Sequence, residues 1–331
     1  MTTGGRDEPT GISINWYAHH RRSEEIARIV GADVRFIRTN HSLLVRRYFA
    51  QARSTRRALN DARPAFVIVM QPPPFALMTV IRWARRNSAV VVGDLHSGTF
   101  FDSKWRPFLR YVLRQLRRHG FAIVPNTDLA LRARAAGVTT FVSHGQLRPV
   151  DRCAPSPTSF PGRAFALVPL SYSADEPIQA VLDAAARAPE ISWVLTGHAP
   201  RNVRSVAPSN VLFAGYLSVD DYRELQRSAD VIVALTTQDS TMQSAGYEAM
   251  ASATPLVITR FDVLTDYFGD AAIYVDNSAA EIAAGVRSAM REQGLWGARM
   301  ASRRERIVAE QIEAEDEIRA WLRVRIGGSL L

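Results

Sequence analysis

The chain has 331 residues, 47% of them hydrophobic, which is enough for two domains with filled cores. Its single cysteine, Cys153, excludes an intrachain disulfide framework or a cysteine-built metal site and fits a reducing compartment. The net charge of +9 is uneven: residues 1–150 hold 24 Arg+Lys against 9 Asp+Glu, or +15, and the remainder is −6, so the two halves should meet different partners.

The first half alternates apolar runs with helical stretches. Strands are expected at Ile12–Trp16, Val34–Arg38, Phe66–Met70, Ala89–Gly93, Phe121–Val124 and Thr139–Val142. Helices are expected near Ser23–Val30, Leu43–Leu59, Phe75–Arg86, Phe108–Arg118 and Leu129–Ala135. Regular βαβ alternation implies a doubly wound parallel sheet. A Pro/Ser/Gly-rich segment follows and reads as a linker over 151–163, which gives domains at 1–150 and 164–300.

The second half repeats the alternation. Its strands are expected at Ala164–Leu170, Ser192–Thr196, Val211–Ala214, Val231–Leu235, Pro255–Ile258 and Ala272–Val275. Its helices are expected near Ile178–Ala186, Asp220–Arg227, Met242–Ala251 and Ala279–Arg291. A long charged helix, Ala301–Arg323, closes the chain, and the segment 301–331 could return to the first domain. The fold class is therefore α/β, with two Rossmann-like domains and an expected cleft at the carboxyl edges of their sheets.

Two regions of the first half are rich in arginine. Arg46, Arg47, Arg53, Arg56 and Arg57 share one helix without an acid. Lys104, Arg106, Arg110, Arg114, Arg117 and Arg118 lie on another, beside an apolar stripe of Phe108, Leu109, Val112, Leu113 and Leu116. A basic amphipathic helix of this kind can lie on anionic headgroups, while a solvated Arg-rich face is the plainer alternative. No zinc finger, RNP motif or helix-turn-helix accompanies it, so nucleic acid is not expected as a partner. Residues 1–10 lack the apolar core of a signal peptide, and no stretch approaches the roughly 18 apolar residues of a membrane span. The expected location is cytoplasmic, peripheral on the inner face of the cell membrane.

Candidate site residues follow strand ends. Glu248 lies in Ser244-Ala-Gly-Tyr-Glu-Ala-Met-Ala-Ser-Ala-Thr-Pro-Leu-Val-Ile258, a helix after a buried strand and a polar loop. Amides at such a helix start can hold phosphate while a carboxylate accepts sugar hydroxyls; alternatively Glu248 solvates a surface helix. His96, two residues beyond Asp94, should project from a strand's carboxyl end, with Asp94 orienting it or acting as a base; a pair of loop-capping residues is the alternative. His20, Arg21 and Arg22 follow the first strand and could bind an acceptor phosphate, or form a surface cluster. His198 and Arg201 lie beyond another strand end, where His198 could equally be an exposed turn residue.

The order of these segments resembles GT-B glycosyltransferases, and the second half resembles family 4 members through its Glu-Ala-Met-Ala helix. Ser171-Tyr-Ser-Ala-Asp-Glu-Pro177, Leu195-Thr-Gly-His-Ala-Pro200, Gly215-Tyr-Leu-Ser-Val-Asp-Asp-Tyr222, Gln71-Pro-Pro-Pro74, Asp94-Leu-His-Ser97 and Arg22-Ser23 resemble the chitobiosyldiphosphodolichol β-mannosyltransferases. The resemblance implies a metal-independent hexosyltransferase that needs no cofactor and uses a UDP- or GDP-linked sugar as substrate. Its acceptor would be a lipid-linked or cell-envelope glycan. Glu248 would meet the ribose, and Thr241, Met242 and Gln243 the diphosphate, with Ser173, His198 and Arg201 as further donors. His96 would sit near the transferred sugar. The family 4 pattern has a second glutamate where this chain has Ser240, and its diphosphate-gripping Arg…Lys pair is replaced around Ser171, Tyr172 and Ser173. A non-catalytic scaffold of the same fold and a nucleotide-sugar 2-epimerase remain alternatives.

Overall fold

The computed structural model describes residues 11–17, 20–144 and 164–327, so the expected linker 151–163 lies outside the described residues. The chain divides into two compact units, Met1–Gln146 with Glu310–Leu331, and Leu147–Ala309.

In unit 1 the order is β1 (Gly11–Asn15), α1 (Arg21–Ile29), β2 (Ala32–Phe36), α2 (Leu44–Ala62), β3 (Phe66–Gln71), α3 (Pro74–Asn87), β4 (Val90–Leu95), α4 (Ser97–Phe101), α5 (Leu109–His119), β5 (Gly120–Val124), α6 (Thr127–Ala135) and β6 (Thr140–Val142). The strands form one parallel sheet in the order β2-β1-β3-β4-β5-β6. Strands β3, β4 and β5 are buried along their whole length, because both faces are covered. Val67, Val69, Val91, Ala122 and Val124 point to the face packed by α2, α3, α5 and α6. Their neighbours Phe66, Ile68, Val90, Val92, Phe121 and Ile123 point to the other face.

Unit 2 runs β7 (Phe165–Val168), α7 (Ile178–Arg187), β8 (Ser192–Thr196), α8 (Arg201–Val206), β9 (Val211–Gly215), α9 (Val219–Ser228), β10 (Val231–Ala234), α10 (Ser244–Ser252), β11 (Leu256–Thr259), α11 (Asp262–Phe268), β12 (Ile273–Val275), α12 (Ala279–Arg291) and the first part of α13 (Gln293–Gly327), whose residues from Glu310 onward belong to unit 1. Its parallel sheet has the order β12-β11-β10-β7-β8-β9. Leu167, Val194, Ile232, Leu256 and Ile258 face α10 and α11, and Ala166, Val168, Trp193, Val233 and Val257 face α7 and α12.

The last helix is longer than the expected Ala301–Arg323: α13 spans 35 residues. Gly297 lies within the added N-terminal part, where a Cβ would sit 3.1 Å from the Ala253 carbonyl oxygen, so glycine permits close packing there. Met300 and Ile307 complete a core of unit 2. Ile318, Leu322 and Ile326, at i, i+4 and i+8, cover the Phe121 face of the unit 1 sheet, and burial of such side chains stabilises it by roughly 2 kcal/mol each. Trp321 meets Phe121 edge to face at 4.6 Å, and Arg319 Nε donates to the Ile29 carbonyl at 2.8 Å. Three short helices, α4, α8 and α11, were not expected from the sequence; with five to seven residues each, they are too short to show helical periodicity.

No described helix is long and apolar enough to cross a membrane. The apolar stripe of α5 is not a free surface: Val112, Leu113 and Leu116 are buried in the unit 1 core, and the exposed residues of that helix are the arginines Arg110, Arg114, Arg117 and Arg118.

Candidate functional site

In each sheet the strand order reverses at one point, between β1 and β3 in unit 1 and between β7 and β10 in unit 2. Loops leaving the carboxyl ends of adjacent strands diverge there and leave room for a ligand. The candidate residues gather around both points.

In unit 1 the centre is Asp94, the penultimate residue of β4, whose side chain is 1% exposed. Arg22, in the first turn of α1, donates from Nε to Asp94 Oδ1 at 3.0 Å and from Nη1 to the Ser143 carbonyl beyond β6. Arg22 Nη2 is buried without a hydrogen-bond partner. His96 Nε2 lies 3.1 Å from Asp94 Oδ2, and the Ser23 hydroxyl donates to the same oxygen at 3.5 Å. The His20 ring meets the His96 ring edge to face at 4.7 Å. The His96 backbone N–H donates to the Gln71 carbonyl, where the cis-prolines Pro72 and Pro73 follow β3. Burial by itself would raise the Asp94 pKa. The charges of His96 and Arg22 and their hydrogen bonds outweigh it, so the carboxyl is held well below its ordinary value.

That environment keeps Asp94 ionised at neutral pH, where it aligns His96 Nε2 and leaves Nδ1 as the other ring nitrogen. Asp94 and Ser143 occupy Arg22 Nε and Nη1, and only Nη2 is left without a partner. Arg21 begins α1, and its side chain lies outside the described residues.

In unit 2, Thr236 follows β10 and ties the strand ends together. Its hydroxyl donates to Asp175 Oδ2 at 3.1 Å, and its carbonyl accepts from Thr259 Oγ1 and Asn277 Nδ2. The Thr237 N–H donates to the Asp175 carbonyl at 2.7 Å. Ser240 is buried in the left-handed region, φ 58°, and its N–H donates to Asp239 Oδ1. Thr241 and the partly buried Met242 lead to Gln243, the N-cap of α10, whose side chain donates to the Leu235 carbonyl instead of capping the helix. Thr241 Oγ1 and Gln243 Oε1 are both buried without partners.

Glu248, one turn into α10, accepts a 2.5 Å hydrogen bond from the Tyr222 hydroxyl of α9. Burial, then the Glu248 charge and this bond, push the Tyr222 pKa far upward, so the phenol stays a donor. Sequence reading missed Tyr222 as a partner because the pair is separated by 26 positions.

The loop after β7 is occupied by its own carboxylate: Glu176 accepts from the N–H of Ser171 and of Ser173 at 3.0 Å each, and from the Ser171 hydroxyl. Ser173 Oγ donates to Asp175. Burial pushes the adjacent Tyr172 hydroxyl up to about 12, and that hydroxyl has no partner. Gly197, after β8, has φ +80° and would place a Cβ 2.2 Å from the Leu170 carbonyl oxygen, so only glycine lets the two loops meet. His198 is exposed and stacks on Tyr216 at 5.7 Å, and Arg201 is exposed at the start of α8. Among the described residues, no cluster of three or more His, Cys, Asp or Glu side chains could hold a metal.

Two six-stranded parallel sheets with flanking helices, one in each unit, are the GT-B fold of two Rossmann-like domains. Residues 171–292 match the family model described as glycosyl transferases group 1, which places the Glu176 loop, Tyr222, Glu248 and the polar strand ends inside the matched segment. HepE of Anabaena, solved in complex with UDP-glucose, aligns with 94% of this chain and 98% of its own at TM-score 0.71 and 13% identity. Sucrose-phosphate synthase from Thermosynechococcus elongatus aligns over 97% of this chain and 100% of its own at TM-score 0.77 and 11% identity. A Listeria monocytogenes protein assigned as a UDP-N-acetylglucosamine 2-epimerase shares the fold over 91% of this chain and 95% of its own, at TM-score 0.61 and 12% identity. None of the curated proteins matches the sequence.

Proposed function

We propose that this protein is a glycosyltransferase that moves a hexose from a UDP- or GDP-linked donor to a hydroxyl of a lipid-linked or cell-envelope glycan, working peripherally at the inner face of the membrane. The observation that carries the reading is the α10 entrance within the matched segment, where the unpartnered Thr241 hydroxyl precedes a helix start and Glu248 is fixed one turn beyond. Free amides at a helix start meet a diphosphate, and a carboxylate held by Tyr222 is placed to accept the ribose hydroxyls. Unit 2 binds the nucleotide and unit 1 serves the acceptor. As the acceptor oxygen bonds to the anomeric carbon, the bond from that carbon to the diphosphate oxygen breaks, and the acceptor proton passes to His96 Nδ1. Asp94 stabilises the imidazolium that results, and the α10 amides meet the charge developing on the leaving diphosphate. No metal is required for this division of labour.

Transfer of labelled hexose from a donor panel to polyprenyl-linked and free glycan acceptors tests the reading. His96→Ala should lower transfer by about 100-fold or more. Transfer by the wild type that His96→Ala leaves intact would remove His96 from the chemistry.

One observation favours a second reading. The Glu176 carboxylate occupies backbone amides that a donor phosphate would otherwise use, as expected of a GT-B scaffold that binds glycan or a partner transferase without turning over. Any donor-dependent sugar transfer excludes it. Conversion of a UDP-sugar to its epimer without acceptor would instead assign the chain to the epimerases.

A further inference from the structure

The N-terminal end of α2 carries exposed residues to which the proposed transfer step assigns no role. Leu43, Leu44, Val45 and Phe49 are all exposed, Val45 and Phe49 at 74% and 73%. Val45 and Phe49 are one turn apart and so share a face, and Arg53 and Arg56 extend that face along the helix. Arg46 and Arg57 flank it, and α2 has no acidic residue before Asp61. The opposite face, through Gln51, Thr55 and Leu59, is buried against the unit 1 sheet. The patch is therefore the side of the helix left over after folding.

A neighbouring turn extends it. The Tyr48 ring packs on Phe75 at 4.8 Å, and Phe75 packs on Trp105 at 6.3 Å. Exposed Lys104 lies over the Trp105 ring at 4.5 Å, with exposed Arg106 beside it. The result is an apolar tip bordered by cations.

Each possible occupant must satisfy both parts. Nucleic acid would match the cations and leave Leu43, Val45 and Phe49 without partners. A second copy of this chain would cover the apolar residues and set arginines against arginines. The interface of an anionic bilayer supplies hydrocarbon and phosphate at once. We propose that the N-terminal end of α2, together with the Lys104–Arg106 turn, docks the protein on an anionic lipid surface, with Val45 and Phe49 entering the acyl boundary and the arginines on the headgroup phosphates. The docking element is thus α2, whose apolar residues are free, rather than α5, whose apolar stripe is core. This deepens the peripheral-membrane part of the function above, and its test uses neither donor nor acceptor, so its failure leaves sugar transfer standing.

The test is flotation of the full-length protein with vesicles of phosphatidylcholine alone or with phosphatidylglycerol added. Wild type should float with the anionic vesicles, and added salt should release it. Val45→Asp/Phe49→Asp should abolish flotation without lowering the melting temperature, because both residues are exposed. Each arginine near an anionic surface is worth about a fivefold change in partition, so Arg53→Gln/Arg56→Gln should lose about 20-fold or more. Arg114→Gln/Arg117→Gln on α5 should change it less than about threefold. Absence of flotation, flotation indifferent to Val45→Asp/Phe49→Asp, or equal loss from the α5 variant would overturn the proposal. So would a concentration-dependent dimer, lost in Val45→Asp/Phe49→Asp, in a protein that ignores vesicles.

Discussion

Asp94→Asn isolates the electrostatics of the unit 1 site. The replacement has nearly the same shape but removes the negative charge from a position 1% exposed, opposite an Arg22 side chain 12% exposed and a His96 side chain 19% exposed. Arg22 would keep its bond to the Ser143 carbonyl and lose its counter-ion. Removing one partner of a buried pair costs about 3–5 kcal/mol, and the surviving carbonyl contact argues for the lower end. A cost of about 3 kcal/mol multiplies the open population of unit 1 roughly 150-fold. Hydrogen exchange of β4 and β5 amides, followed by mass spectrometry at neutral pH, should quicken by about two decades. The pH dependence has a defined sign. Because the folded-state pKa is depressed, the stabilisation is complete above the unfolded carboxyl value of about 4 and is lost as pH falls through the folded value. Urea denaturation carried into acid should show that loss in the wild type, and Asp94→Asn should lack it. Exchange within about threefold of wild type, with an unchanged acid limb, would refute the assignment of Asp94 as a paired anion.

Three further outcomes follow from unit 2. Tyr222→Phe removes a hydrogen bond to a carboxylate, worth about 1.5–3 kcal/mol when the partner is charged, and should lower both the melting temperature and nucleotide affinity. A drop in melting temperature with unchanged affinity in calorimetry would leave Tyr222 purely structural. Glu176→Ala frees the Ser171 and Ser173 amides and should tighten binding of a nucleoside diphosphate by about fivefold, a gain of about 1 kcal/mol; weaker binding would show that the carboxylate supports the loop instead. Gly197→Ala forces a Cβ against the Leu170 carbonyl at positive φ and should cost roughly 2 kcal/mol in denaturant unfolding, whereas a neutral effect would mean the loop moves freely.

Much of the fold is written locally. Runs such as Phe66–Met70 and Val231–Leu235 are continuous and apolar because both sheet faces are covered, so the strands can be read without knowing their neighbours. The short helix Asp262–Phe268 escaped notice because seven residues barely make two turns. The alternation of strands and helices also marks which loops leave carboxyl ends, which is why His96 and Glu248 could be singled out. Asp94 could be set beside His96 by its spacing, but the longer-range pairings could not be read. Arg22 reaches Asp94 across 72 positions and Tyr222 reaches Glu248 across 26, and no spacing rule links residues brought together by sheet order. The same reason explains α5 and α2. Both read as arginine-rich helices, and only packing decides that Val112, Leu113 and Leu116 go inward while Val45 and Phe49 stay out.

In the proposed function, unit 2 binds a nucleotide sugar through the α10 entrance. Isothermal titration of the wild type and Glu248→Ala with UDP, GDP and their hexose derivatives tests it most directly. Saturable binding of one nucleotide series is expected, weakened by about tenfold or more in Glu248→Ala, since a carboxylate accepting sugar hydroxyls makes charge-assisted hydrogen bonds worth about 1.5–3 kcal/mol. Absence of binding for every nucleotide, or equal affinity in the wild type and Glu248→Ala, would contradict it.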